Sequence, residues 1–123
     1  MAPAPASVEF RRVTKRFGSV VAVNDVSFVV EPGTLVTLLG PSGCGKTTTL
    51  RLVAGLEMAS EGQVLIGGRD VTSAPASERD VSMVFQSYAL FPHMTVLENC
   101  AYGLLALGRG KRQAHEAARA KLA

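Results

Sequence analysis

The sequence predicts an α/β fold in which an antiparallel β-subdomain precedes a strand–loop–helix unit. In residues 20–31, Val26, Phe28 and Val30 alternate with polar or exposed positions such as Ser27. Residues 34–40, "TLVTLLG", are apolar on both faces, and a glycine-rich loop with a helical pattern follows them. Alternation is typical of a half-buried antiparallel strand, and an unbroken apolar run is typical of a strand buried on both faces of a mostly parallel sheet.

The first elements follow in chain order. Residues 8–17 and 20–31 are predicted strands joined by a turn at 18–19, and a second turn is expected at 31–33 because Pro32 cannot continue a strand ladder. The stretch "KTTTLRLVAGL" predicts a helix that ends near Gly55. Its inward face is expected to carry Leu50, Val53 and Ala54, which recur at helical spacing.

The second half of the chain mixes short strands and helices. Residues 62–67 predict a strand that turns at 67–68, residues 70–80 are polar, and "VSMVF" at 81–85 predicts a second buried strand. Thr95 is expected to be the N-cap of a helix, with Glu98 completing a capping box. Residues 111–123, which are rich in Ala, Arg and Glu, predict a further helix.

Composition limits the possible classes of protein. The 123 residues fit at most one domain, and no basic run is interleaved with aromatic residues, so a nucleic-acid partner is not expected. The two cysteines, Cys44 and Cys100, form neither a metal-ligand spacing nor a disulfide framework. Residues 1–7 are expected to be a disordered tail without signal-peptide features, and no apolar run reaches the length of a membrane span. The sequence therefore predicts a cytoplasmic protein.

The loop "GPSGCGKTTT" at 40–49 matches the P-loop pattern, with a predicted strand before it and a helix after it. Glycines allow successive backbone N–H groups to face phosphate oxygens, and the helix N-terminus adds its dipole. Lys46 would supply a positive charge for the β- and γ-phosphates, and the hydroxyl of Thr47 is the expected Mg²⁺ ligand. The predicted phosphate-binding residues are Gly40, Pro41, Ser42, Gly43, Cys44, Gly45, Lys46, Thr47 and Thr48. Cys44 has two interpretations, a small residue at a variable position or a redox switch, and the first is favoured.

Further segments occur in a fixed order around this loop: "VTKRFG" at 13–18, "RLVAGLE" at 51–57, "EGQVLIGGRDVT" at 61–72 and "MVFQSYALFPHMTVLENCAYGL" at 83–104. Together they resemble the ATP-binding subunit of ATP-binding cassette (ABC) transporters, in the bacterial importer branch for polyamines, ferric iron, sulfate, phosphonates or sugars. The resemblance extends over the chain from about residue 8. It implies ATP and Mg²⁺ as cofactors and a P-loop NTPase fold of the ABC ATPase type.

The resemblance also implies roles for individual residues. Phe17 occupies the position of the aromatic residue that stacks on adenine, although it also fits a core position at a strand end. Gln86 matches the Q-loop glutamine, which reaches Mg²⁺ and the attacking water, although it also fits a polar residue at a strand end. Lys46 and Gln86 are thus the expected catalytic residues, and Thr47 and Gln86 are the expected metal ligands.

Residues 87–95, "SYALFPHMT", are unusually apolar and aromatic for a loop. From the residues alone, a partner surface and buried packing are equally acceptable interpretations. The resemblance implies a groove that receives a short helix of the permease, with His93 as an interface or packing residue rather than a base. It also implies a second ATP-binding subunit as dimer partner, an indirect link to a solute-binding protein, and a location on the inner face of the cell membrane.

Three motifs of the resembled family do not occur in the 123 residues: an "LSGGQ" signature, an apolar strand ending in Asp-Glu, and a switch histidine. We therefore expect residues 8–123 to be the N-terminal part of one nucleotide-binding domain that lacks its C-terminal half. Such a fragment would bind ATP at most and would be marginally stable. Two alternatives are a non-hydrolysing nucleotide-binding protein and an unrelated P-loop enzyme such as a kinase or GTPase, which "VFQSYALFPHMTVLEN" disfavours.

Overall fold

A computed structural model describes residues 4–123, which form two compact units, a first that ends at Met83 and a second, Val84–Ala123. The first unit contains strands β1 (Val8–Phe17), β2 (Val20–Val30), β3 (Glu61–Ile66) and β4 (Arg69–Asp70), helix α1 (Lys46–Ala54) and a 3₁₀ turn at Ala76–Glu78. The second unit contains helices α2 (Val96–Ala106) and α3 (Lys111–Leu122).

The sheet has the order β2-β1-β3-β4, and every pairing is antiparallel. Phe10 in the central strand β1 lies opposite Phe28 on one side and Val64 on the other. The rings of Phe10 and Phe28 are 4.6 Å apart between centroids, so the two strands are joined by side chains as well as by the ladder. The predicted hairpin over 8–31 and the strand over 62–67 are confirmed, whereas the short strand β4 was not foreseen.

Helix α1 covers one face of this sheet. Leu52 is 1% exposed and Ala54 is 8% exposed, and Leu52 packs into the core around Phe10. The predicted helix is confirmed, but the predicted inward face is only partly correct, because Leu50 is 50% exposed. Leu50 lines an apolar cleft of about 290 Å³ together with Leu35 and Val53, while Leu52 takes the core position.

The two predicted buried strands are wrong in this structure. Residues 34–40 and 81–85 have no regular secondary structure, and every residue from 34 to 40 is exposed. A strand forms only where a neighbouring strand pairs with its N–H and C=O groups, and among the described residues no strand pairs with either segment. The exposed segment 34–40 keeps its apolar character, with Leu35 at 95% and Leu39 at 88% exposure.

The start of α1 is fixed against β2 by Gly45. This residue has φ 91°, in the left-handed region that favours glycine. A Cβ atom at Gly45 would lie 2.4 Å from the carbonyl oxygen of Ala22 and 3.5 Å from Val23. The close approach therefore requires glycine, and it places the loop that precedes α1 directly on the sheet.

In the second unit, α2 begins with the predicted capping box, which is confirmed. The backbone N–H of Glu98 donates to Oγ1 of Thr95 at 3.2 Å, and the N–H of Thr95 donates to the Glu98 carboxylate at 2.7 Å. Hydrogen bonding of the Glu98 carboxylate to the backbone N–H of Thr95, and after it to the Thr95 side chain, holds the pKa of Glu98 below its usual value. The reciprocal bonds fix the first turn of α2.

The predicted helix over 111–123 is confirmed as α3, which packs on α2 through small residues. Ala101 of α2 meets Ala114 and Ala118 of α3, and all three are buried.

Residues 4–7 have no regular structure, although the carbonyl of Ser7 accepts a hydrogen bond from Gly67 at 2.8 Å. Residues 1–3 of the predicted tail over 1–7 lie outside the described residues. In the part of the chain that the structure describes, no helix has the length and hydropathy to cross a membrane.

The exposed segment 34–40 leads us to predict self-association. It carries no charge and exposes three leucines, so copies of the chain are expected to associate through it. The double substitution Leu35→Lys and Leu39→Lys should raise by about tenfold the highest concentration at which the chain stays monomeric. The reason is that like charges on the segment would oppose its contact with the same segment of a second copy. Sedimentation velocity over a concentration series measures this.

Leu107→Lys is the matched control, because Leu107 is 80% exposed but lies outside the segment. This control should leave the association unchanged. A wild-type chain that remains monomeric throughout the series, or an equal improvement from the control, would contradict the prediction.

Alanine substitutions at two glycines test the contact that seats α1. Gly43 and Gly45 both have positive φ, 79° and 91°, but a Cβ at Gly43 would meet nothing within 4 Å. Gly43→Ala should therefore cost about 1–2 kcal/mol of backbone strain. Gly45→Ala should cost roughly 1–3 kcal/mol more from the clash with Ala22. Urea unfolding of both variants measures the difference, and equal destabilisation would show that the contact is loose.

Candidate functional site

The predicted P-loop lies in the first unit, between the exposed segment 34–40 and α1. Lys46, the first residue of α1, folds its side chain back into the loop, where its ammonium group donates to the carbonyls of Gly40 and Pro41, the latter at 2.9 Å. The Sγ atom of Cys44 lies 3.6 Å from the same nitrogen. The loop is therefore closed around the lysine that the sequence identified.

The N-terminus of α1 has no side-chain cap. Gly45 is the N-cap residue and cannot supply one, so no side chain bonds the N–H groups of the first turn. The hydroxyl of Thr49 donates to the carbonyl of Gly45 at 2.8 Å, whereas Thr47 is exposed and Thr48 is half-buried. Free N–H groups, a helix dipole and an ammonium group together form an arrangement that attracts an anion.

The rest of the predicted loop set lies open to solvent. Gly40, Pro41, Ser42, Gly43 and Cys44 are all exposed, and Cys44 is a free thiol. The structure thus brings the whole set from Gly40 to Thr48 together in one loop and one helix turn. Neither interpretation of Cys44 is tested by this arrangement.

Phe17 lies at the end of β1 and is 45% exposed, so it is outside the hydrophobic core. The ammonium group of Lys15 lies 4.9 Å from the centre of its ring, within the range of a cation–π interaction. Lys15 is further held by Glu57 at 3.2 Å and by the carbonyl of Met58 at 2.8 Å. One ring face is therefore backed by a fixed positive charge.

Lys15 was missed by the sequence reasoning, although a signal for it exists. Residues two apart in a strand share one face of the sheet, so a predicted strand over 8–17 places Lys15 beside Phe17. The contact with Glu57 and Met58 carries no such signal, because it joins segments more than 40 positions apart.

Gln86 lies in the second unit, while the P-loop lies in the first. Its side chain is exposed, and it lies within a tight turn in which the N–H of Tyr88 donates to the carbonyl of Phe85 at 2.9 Å. Tyr88 and Ala89 have φ of 62° and 52°, which is uncommon for residues other than glycine. Strained backbone of this kind is concentrated at functional segments.

The segment 87–95 combines exposed apolar side chains with a fixed backbone. Tyr88 and Leu90 are 73% and 70% exposed, whereas Phe91 packs on Tyr102 with 4.6 Å between ring centroids. The side chain of Asn99 in α2 anchors this segment: its amide oxygen accepts a hydrogen bond from the N–H of Phe91 at 2.8 Å. Its amide group donates to the carbonyls of Phe91, Met94 and Thr95. The segment is therefore partly packed and partly open.

Two residues with structural importance escaped the sequence reasoning. Asn99 is one, since a polar residue in the second turn of a helix has no pattern that reveals a loop partner. Arg79 is the other: it is only 5% exposed and donates to backbone carbonyls of α1. In the sequence it cannot be distinguished from a surface arginine, because charged residues are usually solvated.

The profile of the ABC transporter family matches residues 23–123. The Fe(3+) ions import ATP-binding protein FbpC of Brucella abortus (strain 2308) is 68% identical over 114 residues, 93% of this chain and 32% of that protein. FbpC 1 of Rhizobium meliloti (strain 1021) is 63% identical over 120 residues, covering 98% and 34%. FbpC of Escherichia coli O157:H7 is 55% identical over 116 residues, covering 94% and 33%. The chain thus spans about a third of the length of the curated relatives it matches.

Solved structures agree with this match. The dimeric post-hydrolysis state of the ATP-binding cassette MJ0796, bound to ADP and Pi, has a TM-score of 0.80 and 29% identity, with 90% of this chain and 53% of that chain covered. A second dimeric structure of MJ0796, a bacterial ABC transporter cassette, has a TM-score of 0.80 and 27% identity, covering 89% and 53%. The predicted fold class is confirmed by these neighbours. Because the family profile also covers more than half of its length, the chain belongs to the ABC transporter family.

Proposed function

We propose that the chain is part of the ATP-binding subunit of an ABC importer and that residues 40–48 bind the phosphates of ATP. The observation that carries this proposal is the position of Lys46, which lies inside a glycine-rich loop at the uncapped start of α1. A triphosphate in the loop would give the ammonium group and the free N–H groups an anionic partner. The relatives' names describe ATP-binding proteins, which supports the same ligand.

Lys46 and Thr47 would divide the work at the phosphates. Lys46 would exchange its carbonyl partners for the β- and γ-phosphate oxygens. Mg²⁺ fits beside it, because the hydroxyl of Thr47 is exposed and Mg²⁺ prefers oxygen ligands. When bound, the ion would neutralise charge on the phosphates. Gly40–Gly45 and Thr48 would complete the cradle.

Phe17 is proposed as the platform for the adenine ring. Its exposure leaves one aromatic face free for stacking. Lys15 lies over the ring and would hold it in place. Because Glu57 already pairs with the Lys15 ammonium group, no anionic group of the ligand is needed to balance that charge. The role of Phe17 rests on its exposed position and on the resemblance described above.

Gln86 is proposed as the second catalytic residue and as a metal ligand, alongside Lys46 and Thr47. Its exposed amide offers both a donor and an acceptor, as contact with Mg²⁺ and with an attacking water requires. ATP hydrolysis is proposed for the whole subunit, and nucleotide binding is proposed for these 123 residues.

The proposed partner of residues 87–95 is a permease subunit. The exposed side chains of Tyr88 and Leu90 on a backbone fixed by Asn99 would suit a docking surface. We further propose a second ATP-binding subunit as dimer partner, an indirect link to a solute-binding protein, and a location on the cytoplasmic face of the cell membrane. Ferric iron is the proposed solute, because the relatives are named for Fe(3+) import.

Lys46→Ala tests the proposed cradle. The substitution removes the positive charge inside the loop, so the Kd for Mg-ATP should rise by at least about tenfold. Isothermal titration calorimetry measures the Kd, and circular dichroism shows whether the variant is folded.

Lys121→Ala removes an exposed lysine of α3 and should leave the Kd unchanged. An unchanged Kd in the folded Lys46→Ala variant would show that the cradle is assigned to the wrong residues.

Leu90→Ala tests the proposed docking surface. The exposed side chain is expected to enter a pocket of the partner, so binding to a purified ferric-iron importer permease in detergent should weaken by roughly tenfold. The affinity for Mg-ATP should not change. Surface plasmon resonance against the immobilised permease measures the first quantity.

The control is Leu107→Ala, since Leu107 is similarly exposed, at 80% against 70% for Leu90, but lies at the end of α2. Equal weakening by both variants would point to unspecific apolar adhesion. Loss of ATP affinity in the Leu90→Ala variant would assign residue 90 to packing instead.

A further inference from the structure

Arg79 is a buried cation whose partners are neutral. Its side chain is 5% exposed, and none of the ion pairs in the described part of the chain includes it. Burial lowers the pKa of its guanidinium group. A buried guanidinium group is tolerated only when its N–H donors are hydrogen-bonded. The groups that accept these bonds therefore indicate what Arg79 does in the fold.

The partners of Arg79 are carbonyls at the end of α1. Nη1 donates to the carbonyl of Leu52 and, at 3.2 Å, to that of Val53. The preceding carbonyl, that of Arg51, is already bonded by the N–H groups of Gly55, Leu56 and Glu57. The guanidinium therefore caps two further carbonyls of the last helical turn, and its charge lies at the negative end of the helix dipole.

The other donors of Arg79 reach the chain that follows β4. Nε donates to the carbonyl of Ala74 at 2.9 Å, and Nη2 donates to that of Thr72 at 3.4 Å. Gly55 makes room for the group, because a Cβ atom there would lie 2.7 Å from Nε of Arg79. The end of α1 is thus tied to a second segment of the first unit.

The opposite end of α1 carries the proposed phosphate site. The helix has nine residues, so its ends are only about 13 Å apart, and a helix this short moves as a rigid rod. Its N-terminus rests on Ala22 through Gly45, and the side chain of Leu52, in its last turn, is buried in the core. A tilt at the end held by Arg79 would therefore displace Lys46 and Thr47.

We propose that Arg79 is a positioning residue for the nucleotide site: by fixing the end of α1, it sets the orientation of the loop at the start of the helix. The proposal rests on the nucleotide binding proposed above. Arg79 does not touch the loop, and its effect is exerted through the helix.

The test uses the whole 123-residue chain with Arg79→Met, Arg79→Lys and Val64→Ala. Methionine keeps most of the volume but donates no hydrogen bond, and lysine keeps the charge with fewer donors. Val64 is 1% exposed in β3, so Val64→Ala destabilises the same unit without removing a bond to α1. The readouts are the Kd for Mg-ATP, below the melting temperature of every variant, and the amide shifts of Gly45, Lys46 and Thr47 in ¹H–¹⁵N spectra.

The expected result is a Kd raised about tenfold by Arg79→Met, and raised less by Arg79→Lys, with shifted amide signals in both. Val64→Ala should lower the melting temperature and leave the Kd and the three amide signals near their wild-type values. If Val64→Ala changes the Kd and the signals as much as Arg79→Met does, Arg79 is only structural and the proposal is overturned.

The two proposals fail in different ways. If the wild-type chain does not bind Mg-ATP, the proposed function fails, and the three amide signals without nucleotide then decide the role of Arg79. Unchanged signals in Arg79→Met would overturn the inference. If Arg79→Met does not fold, Arg79→Lys against Val64→Ala makes the same comparison.

Discussion

The first unit depends most on the bonds between the buried guanidinium of Arg79 and the backbone of α1. An arginine without hydrogen-bond partners would be costly to bury, and each carbonyl left unbonded at a buried helix end would cost about 1–3 kcal/mol. The guanidinium donates to carbonyls at the end of α1, so the same hydrogen bonds satisfy both the buried charge and the helix end. The bonds also join residues more than 25 positions apart, so the loop after β4 and the end of α1 are ordered together.

What could be predicted from the sequence was the part of the fold that is decided locally. The β1–β2 hairpin follows from alternation and a glycine turn, and the start of α2 follows from Thr95 and Glu98, which lie three residues apart. The strands predicted at 34–40 and 81–85 did not form, although their composition is that of buried strands. An apolar composition indicates that a segment tends to be buried. A strand also needs a neighbouring strand to pair with, and which segments become neighbours depends on the whole fold.

The candidate site divides in the same way. The loop that precedes α1 was predictable because the P-loop pattern is written in adjacent residues, and the phosphate-binding role of Gly40 to Thr48 stays a prediction. The support around it was not, since Lys15 reaches Met58 and Arg79 reaches Leu52 across long stretches of chain. The composition of residues 87–95 left exposure and packing equally acceptable, and neither the exposure of Tyr88 and Leu90 nor the anchoring of that segment by Asn99 could be predicted from it.

The hydrogen bonds of Lys46 to its own loop have a consequence for selectivity. The carbonyls of Gly40 and Pro41 act as an internal ligand that is always present at a high effective concentration. A molecule that enters the loop must displace them, and the two oxygens then lose their donor. A neutral nucleoside offers no interaction that offsets this loss, whereas a polyanion does. Under the proposed function, this competition from the loop's own carbonyls would screen out ligands that share the base and sugar of the nucleotide but lack its phosphates.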